Sequence, residues 1–298
     1  MNILITGISG FVGQNLSEYL EKQNFVALGL SLRSSYVFNI DADAIIHLAG
    51  KAHDTANTSA EEEYFKVNRD LTIQLFDEFL DSNIKDFIYF SSVKATADTV
   101  DGILDEGHVS DPKTSYGKSK LLAEEYLLSK TLPEGKRFFI IRPCMIHGPG
   151  NKGNLNLLYK VVEKGVPWPL AAFDNKRSFL SIDNLNFLIH EILKNKDIPS
   201  GIYNFADDES ISTNDLIEII GKASGRKSKL WRLPSGMISS AAKLGDALKL
   251  PLNSERLKKL TESYQVSNEK IKNALHIKKL PVSAEEGLFK TIKSFKNT

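Results

Sequence analysis

Residues 6–13 read TGISGFVG, between a β-rich apolar run that begins at Asn2 and an amphipathic stretch from Phe11 to Lys22. No other feature constrains the chain as much. Gly7 permits a tight turn after a strand, Gly10 lets the backbone approach a bound pyrophosphate, and Gly13 lets the following helix pack closely on the sheet. The helix start at Phe11 and Val12 offers orphan N–H groups and a positive dipole end to the same anion.

The rest of the first half agrees with that turn. NILIT, FVALGL, AIIHLA, DFIYFS and RFFIIR are apolar nearly throughout and bounded by turn residues, the pattern of strands buried on both faces. Helical stretches are predicted from Phe11 to Lys22, from about Ala60 to Leu80 and from Tyr116 to Leu128. The second carries Val67, Leu71, Leu75 and Phe79 at a spacing of four. The short segment between FVALGL and AIIHLA leaves room for one small strand, YVFN. Strand and helix in alternation predict an α/β chain, a Rossmann-type doubly wound parallel sheet. After Pro149 the pattern changes to helices separated by Gly and Pro, with short strands near Phe179 and Tyr203. The expected division is a dinucleotide-binding domain over 1–150 and a smaller α/β substrate lobe over 151–298, with segments near 178–205 returning to the first domain.

Composition narrows the function classes. The 298 residues carry 38 Lys and Arg against 37 Asp and Glu, so bulk charge gives no case for nucleic acid or membrane as a partner. The C-terminal segment does lean basic, at Lys258, Lys259, Lys270, Lys272, Lys278 and Lys279. Cys144 is the only cysteine, which excludes an internal disulfide and fits a reducing compartment. No apolar run reaches the length of a membrane span, and no His/Cys cluster has metal-ligand spacing. A cytoplasmic protein without a metal is expected.

After the second strand a carboxylate would bind the adenosine ribose of NAD. Here the chain reads Leu30, Ser31, Leu32, Arg33, a hydroxyl and a cation suited to a 2′-phosphate, which favours NADP(H) over NAD(H). Tyr116 and Lys120 stand four apart in SYGKSK and would share one helix face. A phenol has a pKa of about 10, and a fixed positive charge beside it brings that value down, making the pair a plausible proton-transfer device.

The glycine turn, the Tyr-x-x-x-Lys pair and the Ser-Ser that ends DFIYFSS together resemble the extended short-chain dehydrogenase/reductases, in their nucleotide-sugar epimerase/dehydratase branch. HLAG at 47–50, Asn68, RPxxxxGPG from Arg142 to Gly150 and RSFLSIDNL from Arg177 to Leu185 extend the resemblance over nearly the whole chain. It implies that Tyr116 is the general acid/base, that Lys120 lowers its pKa and bonds the nicotinamide ribose, and that Ser92, with Ser91 as runner-up, bonds the reacting sugar oxygen. Leu48, Ala49, Gly50 and Lys51 would line the pyrophosphate, Asn68 would sit near the ribose, Asn39 and Ile40 would meet the adenine, and Pro143 would abut the nicotinamide. On the substrate side it implies Met145 and Asn154 near the sugar, Arg177 on a diphosphate and Arg256 as a second clamp. The competing use of Arg177 is an ion pair with Asp174 or Asp183.

Met145 and His147 depart from the usual residues of the branch, which leaves the sugar open. Val93 and Lys94 follow Ser92 where dehydratases of the branch carry Asp-Glu, which argues against a 4,6-dehydratase. The implied activity is a 4-ketosugar reductase or a 4-epimerase on a UDP-linked sugar for surface polysaccharide. A reductase of a non-nucleotide carbonyl compound and a non-catalytic dinucleotide sensor are the alternatives. The resemblance also implies a homodimer, formed by the helices at 60–80 and 116–128.

Overall fold

The computed structural model describes residues 1–33, 41–51, 60–151, 153–248 and 253–297. The elements run β1 (Asn2–Thr6), α1 (Phe11–Lys22), β2 (Val26–Leu30), β3 (Ala44–His47), α2 (Glu61–Tyr64), a π-helical turn (Phe65–Asp70), α3 (Leu71–Asp81), β4 (Asp86–Phe90) and a 3₁₀ turn (Val93–Ala95). They continue with β5 (Ile103–Leu104), α4 (Ser115–Ser129), β6 (Arg137–Pro143), β7 (Met145–His147), α5 (Asn154–Glu163), β8 (Phe179–Ser181), α6 (Ile182–Lys194) and β9 (Gly201–Phe205). The last are α7 (Thr213–Ser224), α8 (Ser235–Leu248), α9 (Ser254–Thr261), β10 (Gln265–Val266), α10 (Glu269–Leu275) and α11 (Ala284–Ser294), followed by a 3₁₀ turn (Phe295–Asn297).

Six strands in the order β2-β1-β3-β4-β6-β9 form the central sheet, and every pairing in it is parallel. The doubly wound sheet expected from the alternation is therefore present. Register aligns the strand ends: Thr6 pairs with Leu30 and with His47, His47 with Tyr89, Phe90 with Ile141, and Pro143 with Phe205. The segments that follow β1, β2, β3, β4 and β6 thus leave the sheet at one carboxyl edge. The strand order turns back between β1 and β3, where open α/β sheets bind ligands.

Alternate residues of each central strand serve opposite faces. Ile3, Ile5, Ile88, Phe90, Phe139 and Ile141 join Leu16 and Leu20 of α1 and Leu185 to Leu193 of α6 in one core. Leu4, Phe87, Tyr89, Phe138 and Ile140 join Leu75, Phe76 and Phe79 of α3 and Ala123 and Leu127 of α4 in the other. A third cluster gathers α5, α7, α8, α9 and α11 around Trp168, Ile217, Ile220 and Leu288. β9 begins 58 residues after β6 ends in the chain, yet pairs directly with it.

Two readings need correction. β2 is only partly buried, with Val26 half exposed, because it ends the sheet among the described residues. YVFN lies outside the described residues. The helix expected at 60–80 runs through the π turn, and that turn shifts its face. Tyr64, Asn68, Thr72, Leu75, Phe76 and Phe79 are buried, whereas Val67 and Leu71 of the spacing-four stripe are only half buried.

Candidate functional site

The glycine turn is built as its spacing requires. Gly7 has φ +70°, and a Cβ there would stand 2.9 Å from Ala49 N, so the turn after β1 presses on the loop after β3. A Cβ on Gly13 would meet Gly7 O at 2.4 Å. α1 begins behind Gly10 with no side-chain cap and no acidic residue in its first turn, leaving its N-terminus open to an anion. Phe11 and Val12 are the first two residues of that helix. Ser31 and Arg33 follow β2 and are exposed, joined by a 3.4 Å bond from Arg33 N to Ser31 Oγ. Asn39 and Ile40 lie outside the described residues.

The loop after β3 is gripped from below. Asn68, fully buried in the π turn, accepts from Lys51 N at 2.7 Å, donates to Lys51 O at 3.1 Å and donates to Ser119 Oγ at 3.1 Å. Thr6 Oγ1 accepts from Ala49 N at 3.1 Å and also bonds His47, whose other ring nitrogen bonds Thr72. Burial and the Lys120 charge hold His47 neutral, its pKa lowered to about 3. Leu48, Ala49, Gly50 and Lys51 therefore have a fixed backbone, and Lys51 reaches Glu63 in an ion pair. A Cβ on Gly50 would come within 3.0 Å of Asn68 Oδ1 and 3.2 Å of Lys120 Nζ, so Gly50 forms the thin cover over that ammonium.

Tyr116 and Lys120 lie on the first two turns of α4. Thr114 caps that helix by accepting from Gly117 N at 3.2 Å. Gly117 permits the approach that matters, because a Cβ there would sit 2.3 Å from Lys94 O. With the 3₁₀ turn so close, the Tyr116 hydroxyl hydrogen-bonds Ser92. Ser91, the runner-up, is directed elsewhere: it donates to Glu124, which Arg142 holds through Nε at 3.0 and 3.1 Å, all three buried. Lys120 Nζ donates to Phe90 O at 2.8 Å and lies 4.9 Å from the centre of the Tyr89 ring.

The spacing predicts a phenol pulled down by Lys120. Instead burial raises the Tyr116 pKa, the bond with Ser92 partly offsets this, and Tyr64 adds to the rise. Lys120 is itself lowered to about 8 by burial, with Glu124 opposing. Neither buried group gains a compensating charge from the other in this arrangement.

Pro143, expected against the nicotinamide, ends β6 and pairs with Phe205; of the residues expected near the sugar, Met145 opens β7 with 37% of its surface exposed and Asn154 opens α5. Arg177 is half buried, bridged through its backbone to Ile211 and Tyr264, and donates to Lys259 O. Burial holds its guanidinium below the ordinary value, with Glu262 opposing. Neither expected ion pair accounts for it, since Asp183 pairs with Lys290 and no bond joins it to Asp174.

Lys94 went unassigned in the sequence. Its Nζ donates to Asp98 O at 2.8 Å and stands 4.2 Å above the Tyr264 ring. Burial lowers its pKa, Asp98 opposes, and the nearby Arg177 lowers it again. Tyr264 OH donates to Ala97 O at 2.7 Å, which ties this cationic pair to the loop that carries Ser92. Arg256 lies exposed on α9, and its N–H donates to Asn253 Oδ1 at 2.8 Å.

Comparison with known proteins follows the same outline. Over 99% of this chain and 95% of the other, it is 29% identical to UDP-glucose 4-epimerase of Vibrio cholerae. It is 27% identical, over 98% and 94%, to N-acetyl-alpha-D-glucosaminyl-diphospho-ditrans,octacis-undecaprenol 4-epimerase of Escherichia coli O157:H7. The structure of RMD from Pseudomonas aeruginosa, complexed with NADPH, shares the fold with a TM-score of 0.75 at 20% identity, covering 100% of this chain and 99% of that one. Residues 3–206 match a family model, from the first strand through the last strand of the sheet. The chain belongs to the NAD dependent epimerase/dehydratase family, and is an enzyme that works with a nicotinamide dinucleotide.

Proposed function

We propose that this chain inverts C4 of a UDP-linked sugar, with Tyr116, Ser92 and Lys120 handling the proton. The observation that carries the reading is the close approach of α4, at Gly117, to the turn that follows Ser92, which sets Tyr116 beside Ser92 and one helical turn from a buried lysine. The full-length likeness to two 4-epimerases favours inversion over net reduction.

The open N-terminus of α1 behind Gly10 and the bare backbone at Gly50 fit a dinucleotide, held by Gly7 to Gly13 and by Leu48 to Lys51. When bound, it supplies the acceptor and donor of a hydride. Tyr116 Oη, once ionised against the burial that raises its pKa, removes the proton of the C4 hydroxyl and returns it. Ser92 Oγ donates to the oxygen on which charge develops. Asn68 fixes the loop above Lys120, so the ammonium meets the ribose in a preset position. Arg177 and Lys94 hold the substrate diphosphate; a guanidinium fork suits paired phosphate oxygens. Exposed Ser31 and Arg33 suit a 2′-phosphate on the cofactor.

The test is direct. UDP-hexoses incubated with the purified enzyme and NAD or NADP should show C4 inversion by NMR. Absence of inversion together with NADPH-dependent reduction of a 4-keto sugar would replace the epimerase with a reductase.

A second reading keeps the sugar chemistry and exchanges the nucleoside for a polyprenol, as in the Escherichia coli relative. The exposed apolar side chains of α8, which packs against α9 and so near Arg177, favour it. A sugar on a diphospho-polyprenol would then be inverted faster than its UDP counterpart.

A further inference from the structure

α8 carries two apolar stripes, set about 100° apart around the helix. Its inner face, Ile238, Ala242 and Gly245, is buried against the helical core. A flanking stripe repeats the same spacing with Met237, Ala241, Leu244 and Leu248, all exposed. Met237 shows 64% of its surface, Leu244 58% and Leu248 60%. A surface helix packed on one side ordinarily turns polar residues outward. Trp231, 54% exposed, stands just before this helix on a fixed backbone: its N–H donates to Trp168 O at 2.8 Å, and its carbonyl accepts from Ala171 N.

Charge is concentrated in the same stretch of chain. Arg226, Lys227, Lys229, Arg232 and Lys243 are all exposed, while the one carboxylate between Gly225 and Leu248 is Asp246, which accepts from Ser254 N and Oγ. The chain as a whole is nearly neutral, with 38 cations against 37 anions, so this strip is a local excess that the total conceals.

We propose that this strip docks the enzyme on an anionic phospholipid surface. Met237, Leu244, Leu248 and Trp231 enter the headgroup boundary, and the five cations face lipid phosphates. A second copy of the chain fits less well, because a two-fold contact would set the same cations against one another. No helix among the described residues is long and apolar enough to cross a membrane, so the contact is peripheral. The docking goes beyond the reading at C4 and does not depend on it.

Flotation of the full chain with vesicles of phosphatidylcholine, with and without phosphatidylglycerol, tests the proposal. The protein should float with the anionic vesicles and stay down with the neutral ones. Joint replacement Met237→Ser, Leu244→Ser, Leu248→Ser should weaken binding by roughly tenfold or more. Joint replacement Lys227→Glu, Lys229→Glu, Arg232→Glu should do the same without touching the helix. Thermal melts of both variants should match that of the native chain, which certifies their fold. Failure of the native chain to float, or equal flotation of the variants, overturns the docking. A fall in solution mass in the variants, read by light scattering, would assign the face to self-association and overturn it too. Absent C4 turnover with intact flotation would sink the proposed function and leave the docking standing.

Discussion

Tyr116 and Lys120 were legible as a spacing, but their surroundings were not. The sequence places them on one helix face; it does not reveal that burial works against the charge of both. Replacing Tyr116 by Phe removes the hydroxyl proposed to exchange the sugar proton. Turnover should fall on the order of 10²-fold or more while dinucleotide affinity, followed by fluorescence titration, stays the same. Lys120 gives a stability signature of definite sign. Burial lowers it from 10.5 to about 8, so below that pH the folded chain carries the full cost of a buried cation. Between the two values the unfolded lysine keeps its proton and the folded one sheds it, so stability rises with pH. Against a Lys120→Met variant, the native enzyme should gain up to about 3 kcal/mol across that window in urea unfolding. Parallel curves for the two proteins would refute it. Lys94 escaped notice because a lone lysine after Ser-Ser has no spacing partner. Its neighbour Arg177 lies far along the chain and reaches it only through the fold.

Among the elements, strands and helices of the first half were readable because fully buried strands are apolar throughout. The face of the helix at 60–80 was not, since Asn68 and Thr72 are buried through hydrogen bonds to the Lys51 backbone and to His47. A pattern that counts only apolar residues passes over such positions. Gly117 escaped for the opposite reason: it has no side chain, and its role is the 2.3 Å clearance from Lys94 O. Gly117→Ala should push the start of α4 off the 3₁₀ turn. The expected result is about 1–3 kcal/mol of lost stability, seen in thermal melts, and a larger proportional loss of turnover as Tyr116 leaves Ser92. Unchanged melting and turnover would show that α4 can yield at no cost.

Across the whole molecule, one sheet carries the cofactor side and a separate helical cluster carries the strip at Trp231 to Leu248. We propose that α3 and α4 supply the contact of a homodimer, since Leu122 and Leu128 of α4 stand exposed at 39% and 48%. Light scattering at micromolar concentration should give twice the chain mass, and Leu122→Glu with Leu128→Glu should halve it. The return of β9 to β6 was less legible, because a five-residue strand among helices gives no hint of its partner. That return governs how the polypeptide can be cut. A fragment ending near residue 150 would keep Gly7, Gly10 and Gly13 and the proposed proton-handling groups Ser92, Tyr116 and Lys120, yet present β6 as a bare, long, apolar ladder edge. Such a fragment should precipitate by strand addition, and supplying residues 151–298 in trans should rescue it only if β9 reaches that edge first.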